Sequence, residues 1–527
     1  MCECQVDPLS YNAVHRGARV ARDTAEARRD AGHTTMLSDG EKSLLADRAM
    51  QLLADVGMRF AGSSALRLLA ERGAAVDEST GVARLPRELV EWSLAQCPRS
   101  FVMAGHSRAD DVRLGATEGF HFAPSGCVAK TLDFRTGERR ASTLQDVREC
   151  TALLDELPEL DVMWTQVSAS DVPLESRELT EYFTLLTETT RHITFVDCPS
   201  EVQRVLALCE VLAGDRKSFR ERPRLSTLIT ANSPLGVDGR DLDVHAALAA
   251  AGVPINVYSM AIAGATSPVT LAGTVVQGVA EFLGVATALQ VAAPGARLLF
   301  CFGSAVLDML RTTFALGSLE SALMAVMATE VGHFLGVPTL CPGLSTDAKH
   351  AGVQAGYEKA MKASTVCVAR PDVVTGWGLL DSHNTMSLPQ SVIDNEIAAM
   401  LRRLHTPVEV SAETLGAGAI ATVGPGGSFL GHKDTARRIR AGEHFLPTIS
   451  DRVSYDRWAE SGVTEYDTAC REVERLLTAH AEKPPYLQDD QLRELAAICR
   501  VDHGRHNSHD LLAVRAAATT DPPATTR

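Results

Sequence analysis

The stretch CPGLSTDAKHAGVQAGYEKAM, from Cys341 to Met361, gathers Ser345, Thr346, Asp347, Lys349, His350, Gln354 and Glu358 directly after an apolar strand-like piece, GVPTLC. Carboxylates, an imidazole and an ammonium at that density can balance a substrate's charge, move a proton or hold an anionic group, and the end of a strand is where α/β enzymes place them. The spacing predicts a helix capped by Asp347, with Lys349 and His350 in its first turn. Gln354 and Glu358 then follow on the His350 face. Any one of these residues alone is equally what a helix cap or a solvated face carries.

Other strand ends add to the picture. Asn232 and Ser233, with Asp238 near, follow one strand-like run, Tyr258 closes a second, Phe302 and Asp308 a third, and Trp377 with Asp381 and His383 a fourth. Capping does not explain why Trp164, Tyr258, Phe302 and Trp377 recur at such ends in a chain with only 5% aromatic residues. Rings with scattered acids suit a methylated ammonium, which is drawn to ring faces and forms no hydrogen bonds itself. A glycine-rich turn, VGPGGSFLGHK, offers Gly424, Gly426, Gly427, Ser428 and His432 to a ligand or merely turns the chain. In the tail, Cys499, His503, His506 and His509 stand close enough in sequence to hold a metal, and a solvated polar tail explains them as well.

These residues need elements to position them. Strand-like segments occur at DVMWTQVSA, HITFVDC, RLSTLITAN, PINVYSMAI, ARLLFCFGS, VPTLCPG and DVVTGWGLL, most of them separated by segments of helical period. An eighth strand is available from FHFAPSG before them, or from TPVEVSAE or AIATVGP after. The reading is an α/β protein, a (β/α)8 TIM-like barrel spanning 119–445, with an N-terminal helical cap over 36–118 and a C-terminal helical extension over 446–510. Residues 1–35 read as a mobile segment and 511–527 as a disordered tail. A doubly wound open sheet would carry a G-x-G-x-x-G or G-x-x-x-x-G-K-[ST] loop, and the glycine-rich turn has neither spacing.

At 527 residues, with 45% hydrophobic and 22% charged residues, the chain can bury a large core. A net charge of -15 without a basic face argues against nucleic acid. Twelve cysteines, mostly single and inside apolar runs, suit a reducing cytoplasm. The N-terminus has no signal-like apolar region, and Gln277, Glu281 and Gln290 interrupt the most hydrophobic stretch, so neither export nor membrane insertion is expected. A homo-oligomer is the expected state.

LSTDAKHAGVQAGYEKAM, GWGLLDSHNTMSLPQSVIDNEIAAMLRR and IATVGPGGSFLGHKDTARRIRAGEHFLPTISDR, with GERRASTLQDV, LITANSPLGVD and GATSPVTLAG, resemble the trimethylamine methyltransferase superfamily (MttB-like proteins) in one ordered series. The resemblance implies a barrel enzyme that passes a methyl group from a methylated amine to the cobalt of a corrinoid (cobalamin), usually carried by a separate corrinoid protein. The chain has no D-x-H-x-x-G loop of its own, since Asp243/His245 and Asp381/His383 both fail at the glycine, so the corrinoid is expected from outside. Trimethylamine-using members carry pyrrolysine, which this chain lacks. It therefore resembles the non-pyrrolysine branch, which takes quaternary amines such as glycine betaine.

Under that resemblance, Tyr258, Phe302 and Trp377 are expected to face the trimethylammonium group while Asp347 or Glu358 balances its charge. His350 and Lys349 are expected to bind a betaine carboxylate, assisted by Asn232 and Ser233, with Gln354 beside them. Gly424, Gly426, Gly427, Ser428 and His432 are expected to approach the corrinoid. Two rivals stand beside this: a barrel lyase with Lys349 in a Schiff base, and a non-catalytic binder of betaine-like solutes.

Overall fold

The computed structural model describes residues 35–115, 119–196 and 202–500. They fall into two compact units, each taken by itself: the first runs to Asn395 and resumes at Tyr466, and the second is Glu396–Glu465.

The first unit is built on eight parallel strands: β1 His121–Phe122, β2 Val162–Trp164, β3 His192–Phe195, β4 Leu225–Thr230, β5 Ile255–Ser259, β6 Leu298–Phe302, β7 Thr339–Pro342 and β8 Val373–Thr375. Their lateral order is β1-β8-β7-β6-β5-β4-β3-β2, so neighbours in space are neighbours in sequence all the way round. Asp161 N donates to Phe122 O at 2.9 Å, and Val128 pairs with Val167 just beyond, so the sheet nearly closes on itself between β1 and β2. A helix follows each strand: α1 Leu144–Glu156, α2 Leu174–Glu188, α3 Val202–Ala213, α4 Gly239–Ala251, α5 Leu271–Ala292, α6 Leu319–Phe334, α7 Val353–Val368 and α8 Leu388–His405. This is the TIM-like barrel expected from the βα rhythm. The eighth strand comes from FHFAPSG. AIATVGP lies instead in a helix, Ala417–Val423, and TPVEVSAE has no regular structure.

Register shows which side chains point inward. Leu228 and Leu299 both lie opposite Asn256, while Thr230 and Cys301 lie opposite Tyr258, and lateral neighbours in a parallel sheet share a face. Val162, Trp164, Tyr258, Leu299, Cys301, Leu340 and Val373 form one interior cluster. The hairpin Phe101–Met103/Val112–Leu114 contributes Phe101, Met103, Val112 and Leu114 to it. It meets the early residues of the strands, so it plugs the N-terminal end of the barrel and leaves the C-terminal end as the mouth.

The cap helices Asp39–Asp55, Ala65–Glu71 and Arg87–Gln96 pack on α5. Among the described residues α5 is the one helix long and apolar enough to cross a membrane, and 83% of that window is buried here, which makes it a core helix. The C-terminal helix Glu465–Ala481 is fastened by His480, whose Nδ1 meets Glu156 Oε1 at 2.8 Å and whose Nε2 meets Glu188 Oε2 at 3.2 Å. Asp489–Cys499 packs on α2 and α3. In the second unit, Glu396 accepts hydrogen bonds from the backbone N–H groups of Thr448, Ile449 and Ser450, at 2.5, 2.6 and 2.9 Å. Residues 396–445 fold with 446–465 in one unit.

Candidate active site at the barrel mouth

The residues between β7 and α7 do not extend the helix. It starts at Val353 with Gly352 as its cap, so Asp347 is no N-cap, and Lys349 and His350 sit in a loop. The backbone is held in the loop by side-chain bonds. Glu358 Oε2 accepts from Thr346 Oγ1 at 2.5 Å and from Asp347 N at 2.8 Å, and Gln354 Nε2 donates to Glu358 Oε1 at 2.8 Å. Asp347 Oδ1 accepts from Gly317 N at 3.0 Å and Ser382 Oγ at 2.6 Å. Both expected charge-balancing carboxylates are therefore occupied as loop fasteners. His350 is exposed in this loop, off the face that carries Gln354 and Glu358.

What the loop grips is a turn after β8. Asp381, Ser382 and His383 have φ of 55°, 51° and 64°, a left-handed run that costs roughly 1 kcal/mol or more per residue unless the surroundings hold it. Here they do: Asp381 N donates to Ala348 O at 2.8 Å and Ser382 N to Thr346 O at 3.0 Å. Lys349 Nζ lies 2.6 Å from Asp381 Oδ1, and Arg139 Nη2 lies 3.2 Å from Asp381 Oδ2. The turn carries His383 to Ser125, Nδ1 to Oγ at 3.5 Å, and leaves Nε2 buried without a protein partner. Burial first, then the charges of Lys359 and Lys362, hold this imidazole well below its usual pKa, so it is neutral at pH 7.

Beneath these loops lie two buried ammonium groups. Lys359, fully buried, donates to Asp394 Oδ2 at 2.7 Å, Leu344 O at 2.9 Å and Gly376 O at 3.1 Å, and Asp394 accepts in addition from Gly378 N at 2.7 Å and Gln390 Nε2 at 2.9 Å. The pair ties the ends of β7 and β8 to α8. Lys362 donates to Leu316 O at 2.6 Å and Ser321 Oγ at 2.8 Å, and burial lowers its pKa to about 7. Across the barrel, the buried Glu281 on α5 accepts from Ser233 Oγ at 2.9 Å, Ser259 Oγ at 2.6 Å, Leu235 N at 3.2 Å and Gln277 Nε2 at 2.9 Å. Ser233 is thus turned to the scaffold, and Asn232 is exposed.

The expected aromatic cage resolves differently. Tyr258 is inside the barrel, edge-on to Trp164 with ring centroids 6.3 Å apart. Phe302 sits on the opposite face of the sheet, against Phe300 and seated where a Cβ on Gly278 of α5 would lie 2.6 Å from its ring. Trp377 packs edge-on to Phe122, and its indole N–H donates to Ser391 O at 2.9 Å. Strand alternation decides this: Tyr258 and Cys301 share the inner face, so Phe302, one residue on from Cys301, faces the helices. Phe302 and Trp377 are core residues of the helix layer; Trp164 and Tyr258 are the rings of the interior. On the β3–β4 side the inward Leu228 and Thr230 are only partly buried, as is Val196, so the chamber opens along that wall. Tyr258 OH, Thr375 Oγ1, Ser304 Oγ and Ser345 Oγ, all at strand ends, are buried without protein hydrogen bonds. Burial pushes the Tyr258 phenol well above its ordinary pKa, so it remains a donor.

Gly424, Gly426, Gly427, Ser428 and His432 belong to the second unit. A Cβ on Gly424 or Gly426 would meet nothing, and their φ of +69° and +78° account for glycine there. On Gly427 a Cβ would lie 2.4 Å from Val423 O, so the closure of the turn itself requires glycine. His432 caps the helix Lys433–Arg440 by accepting from Asp434 N at 3.3 Å. Among the described residues of this turn no polar side-chain atom is buried without a partner. Cys499 is buried, and burial pushes its thiol up to about 12. His503, His506 and His509 lie outside the described residues.

Signals for the missed residues were present. Lys359 and Lys362 occur where the period of Ala355, Ala363 and Val366 puts the buried face, and Glu281 interrupts a long apolar helix. Asp-Ser-His-Asn is a run of types that tolerate left-handed backbone.

The trimethylamine methyltransferase (MTTB) family model matches residues 11–502. Trimethylamine methyltransferase MttB1 of Methanosarcina mazei is 31% identical over 440 residues, covering 82% of this chain and 88% of its own. Glycine betaine methyltransferase of Desulfitobacterium hafniense (strain Y51) is 28% identical over 417 residues, covering 79% and 86%. Among solved structures, the monomethylamine methyltransferase of Methanosarcina barkeri aligns with a TM-score of 0.45 at 13% identity, over 88% of this chain and 98% of its own. A match that runs through cap, barrel and C-terminal helices alike makes this chain a methyltransferase belonging to the trimethylamine methyltransferase (MTTB) family.

Proposed function

We propose that the chain moves a methyl group from a quaternary amine of the betaine class to the Co(I) of a corrinoid brought by a partner protein, with the corrinoid as co-substrate. The observation that carries the reading is the Trp164–Tyr258 pair inside a barrel plugged at its other end. Aromatic rings bind a trimethylammonium group with about 0.5–2 kcal/mol per cation–ring contact when water is excluded. The substrate reaches them from the mouth, and so does the methyl acceptor.

The chemistry asked of the protein is positioning. In-line displacement at a methyl carbon of a quaternary ammonium breaks C–N with the electron pair going to nitrogen. The leaving group is a neutral tertiary amine and needs no proton. This matches a mouth where the His383 imidazole is neutral and a chamber where the Tyr258 phenol stays protonated. The absence of pyrrolysine from the sequence supports the same branch, as does the similarity to a glycine betaine methyltransferase. Lys349 is ion-paired with Asp381 at 2.6 Å, and that pairing supports a role in holding the turn over one as a Schiff-base nucleophile.

Co(I) cobalamin mixed with the protein and glycine betaine should yield methylcobalamin, read from its absorption spectrum, and Trp164→Ala should raise KM at least tenfold. Binding of the amine with no methylcobalamin formed, by free or protein-bound corrinoid, would instead mark a non-catalytic binder.

A further inference from the structure

Asn256 lies in the middle of β5, fully buried, one inward position below Tyr258. Its neighbours in register, Leu228 and Leu299, are apolar. Neither its amide nitrogen nor its amide oxygen has a hydrogen-bond partner in the protein. An unpaired carboxamide in an apolar layer is destabilising, and folded proteins seldom keep one without a use. Leu228, level with it on β4, is only partly buried, so accessible space lies beside this layer, with the Asn256 amide itself covered. Above it stand the Tyr258 and Thr375 hydroxyls, which interact with each other and have no other hydrogen-bond partner in the protein.

We propose that Asn256, with Tyr258 and Thr375, binds an oxygen-bearing tail of the substrate, so that the tail points down the barrel axis and the trimethylammonium end faces the mouth. The inference rests on the reading of the chain as a quaternary-amine methyltransferase and adds an orientation and a specificity residue to it. The Asn256 Nδ2–H₂ and the two hydroxyls are neutral donors suited to a carboxylate or hydroxyl oxygen. A carboxylate needs no buried protein cation there, because the ammonium of the same molecule leaves the ligand with no net charge. The rim cations are committed elsewhere: Lys349 and Arg139 both hold Asp381. The orientation also puts a methyl carbon toward the open end, the side from which an acceptor too large for the barrel must come.

The test compares glycine betaine and choline, which carry oxygen tails, with tetramethylammonium, which has none, by calorimetric titration of the full chain and of Asn256→Leu. Wild-type protein should prefer the tailed cations, and in Asn256→Leu their affinity relative to tetramethylammonium should fall 10- to 100-fold. Leu keeps the volume and removes an unpaired amide, so the melting temperature should hold or rise, which a merely structural Asn would not allow. Tyr258→Phe should lower the same ratio in the same direction. An unchanged ratio in Asn256→Leu, or a lowered melting temperature with equal losses for all three cations, overturns the proposal. If wild-type protein binds none of the three, the methyltransferase substrate reading fails, and the inference with it.

Discussion

Removing the charge of Asp394 should destabilise the first unit more than most single substitutions do. Lys359 is fully buried, and its ammonium has one counter-charge, at 2.7 Å, plus two backbone carbonyls. Burial pushes Asp394 up and Lys359 down in pKa, each toward its neutral form, and the pairing opposes both shifts. Asp394→Asn keeps an acceptor for Gly378 N and leaves the ammonium uncompensated. The expected loss is about 3–5 kcal/mol, the usual cost of breaking a buried pair from one side. Lys359→Met should cost a similar amount. The double variant should lose clearly less than the sum, by about 2 kcal/mol or more, because neither charge is then left alone. Urea unfolding followed by near-ultraviolet circular dichroism gives these values from midpoints at constant slope. A loss below about 1 kcal/mol for Asp394→Asn, or additive single losses, would refute the reasoning that this pair is ionised and holds the ends of β7 and β8.

Trp377→Ala should cost about 3–5 kcal/mol of stability, as a large core truncation does, while changing the KM of folded protein far less than Trp164→Ala; a steep KM effect at Trp377 would return it to the substrate site. The C-terminal clasp should weaken in alkali. Burial disfavours the His480 cation, but hydrogen bonds to Glu156 and Glu188 outweigh this and raise its pKa to about 9. A raised histidine stabilises fully below its unfolded pKa of about 6.5 and loses that stabilisation as pH climbs through 9, by at most about 3 kcal/mol. Melting temperature should therefore fall between pH 7 and 10 in wild-type protein and much less in His480→Gln; parallel curves would exclude the clasp.

The βα rhythm was legible because each strand is a short apolar run between helices whose apolar residues recur every three to four positions. That pattern follows from burying both faces of a parallel sheet. The eighth strand was ambiguous, since His121–Phe122 is too short for any periodicity to show. The site was legible in composition and not in direction. Tyr258, Phe302 and Trp377 all read as strand-end aromatics; register turns Phe302 to the helices, and Trp377, beyond the end of β8, is turned away by its contacts with Phe122 and Ser391. Asp347 read as a cap because Asp is a favoured cap, and the cap fell instead to Gly352, since Glu358 and Ser382 hold the intervening loop extended.

Local information therefore determined the class of fold, the family and the stretches of chain that meet at the mouth. It rests on chain periodicity and on ordered motifs, both of which survive without knowledge of contacts. Tertiary structure alone decided that Asn256 is buried unpaired, that Lys359 answers Asp394, and that His383 rides a left-handed turn gripped by the Asp347–Lys349 loop. Each depends on surroundings drawn from other strands and helices, 35 residues away for Lys359 and Asp394 and 33 and 36 for the two backbone bonds that grip the turn, and so on no local pattern.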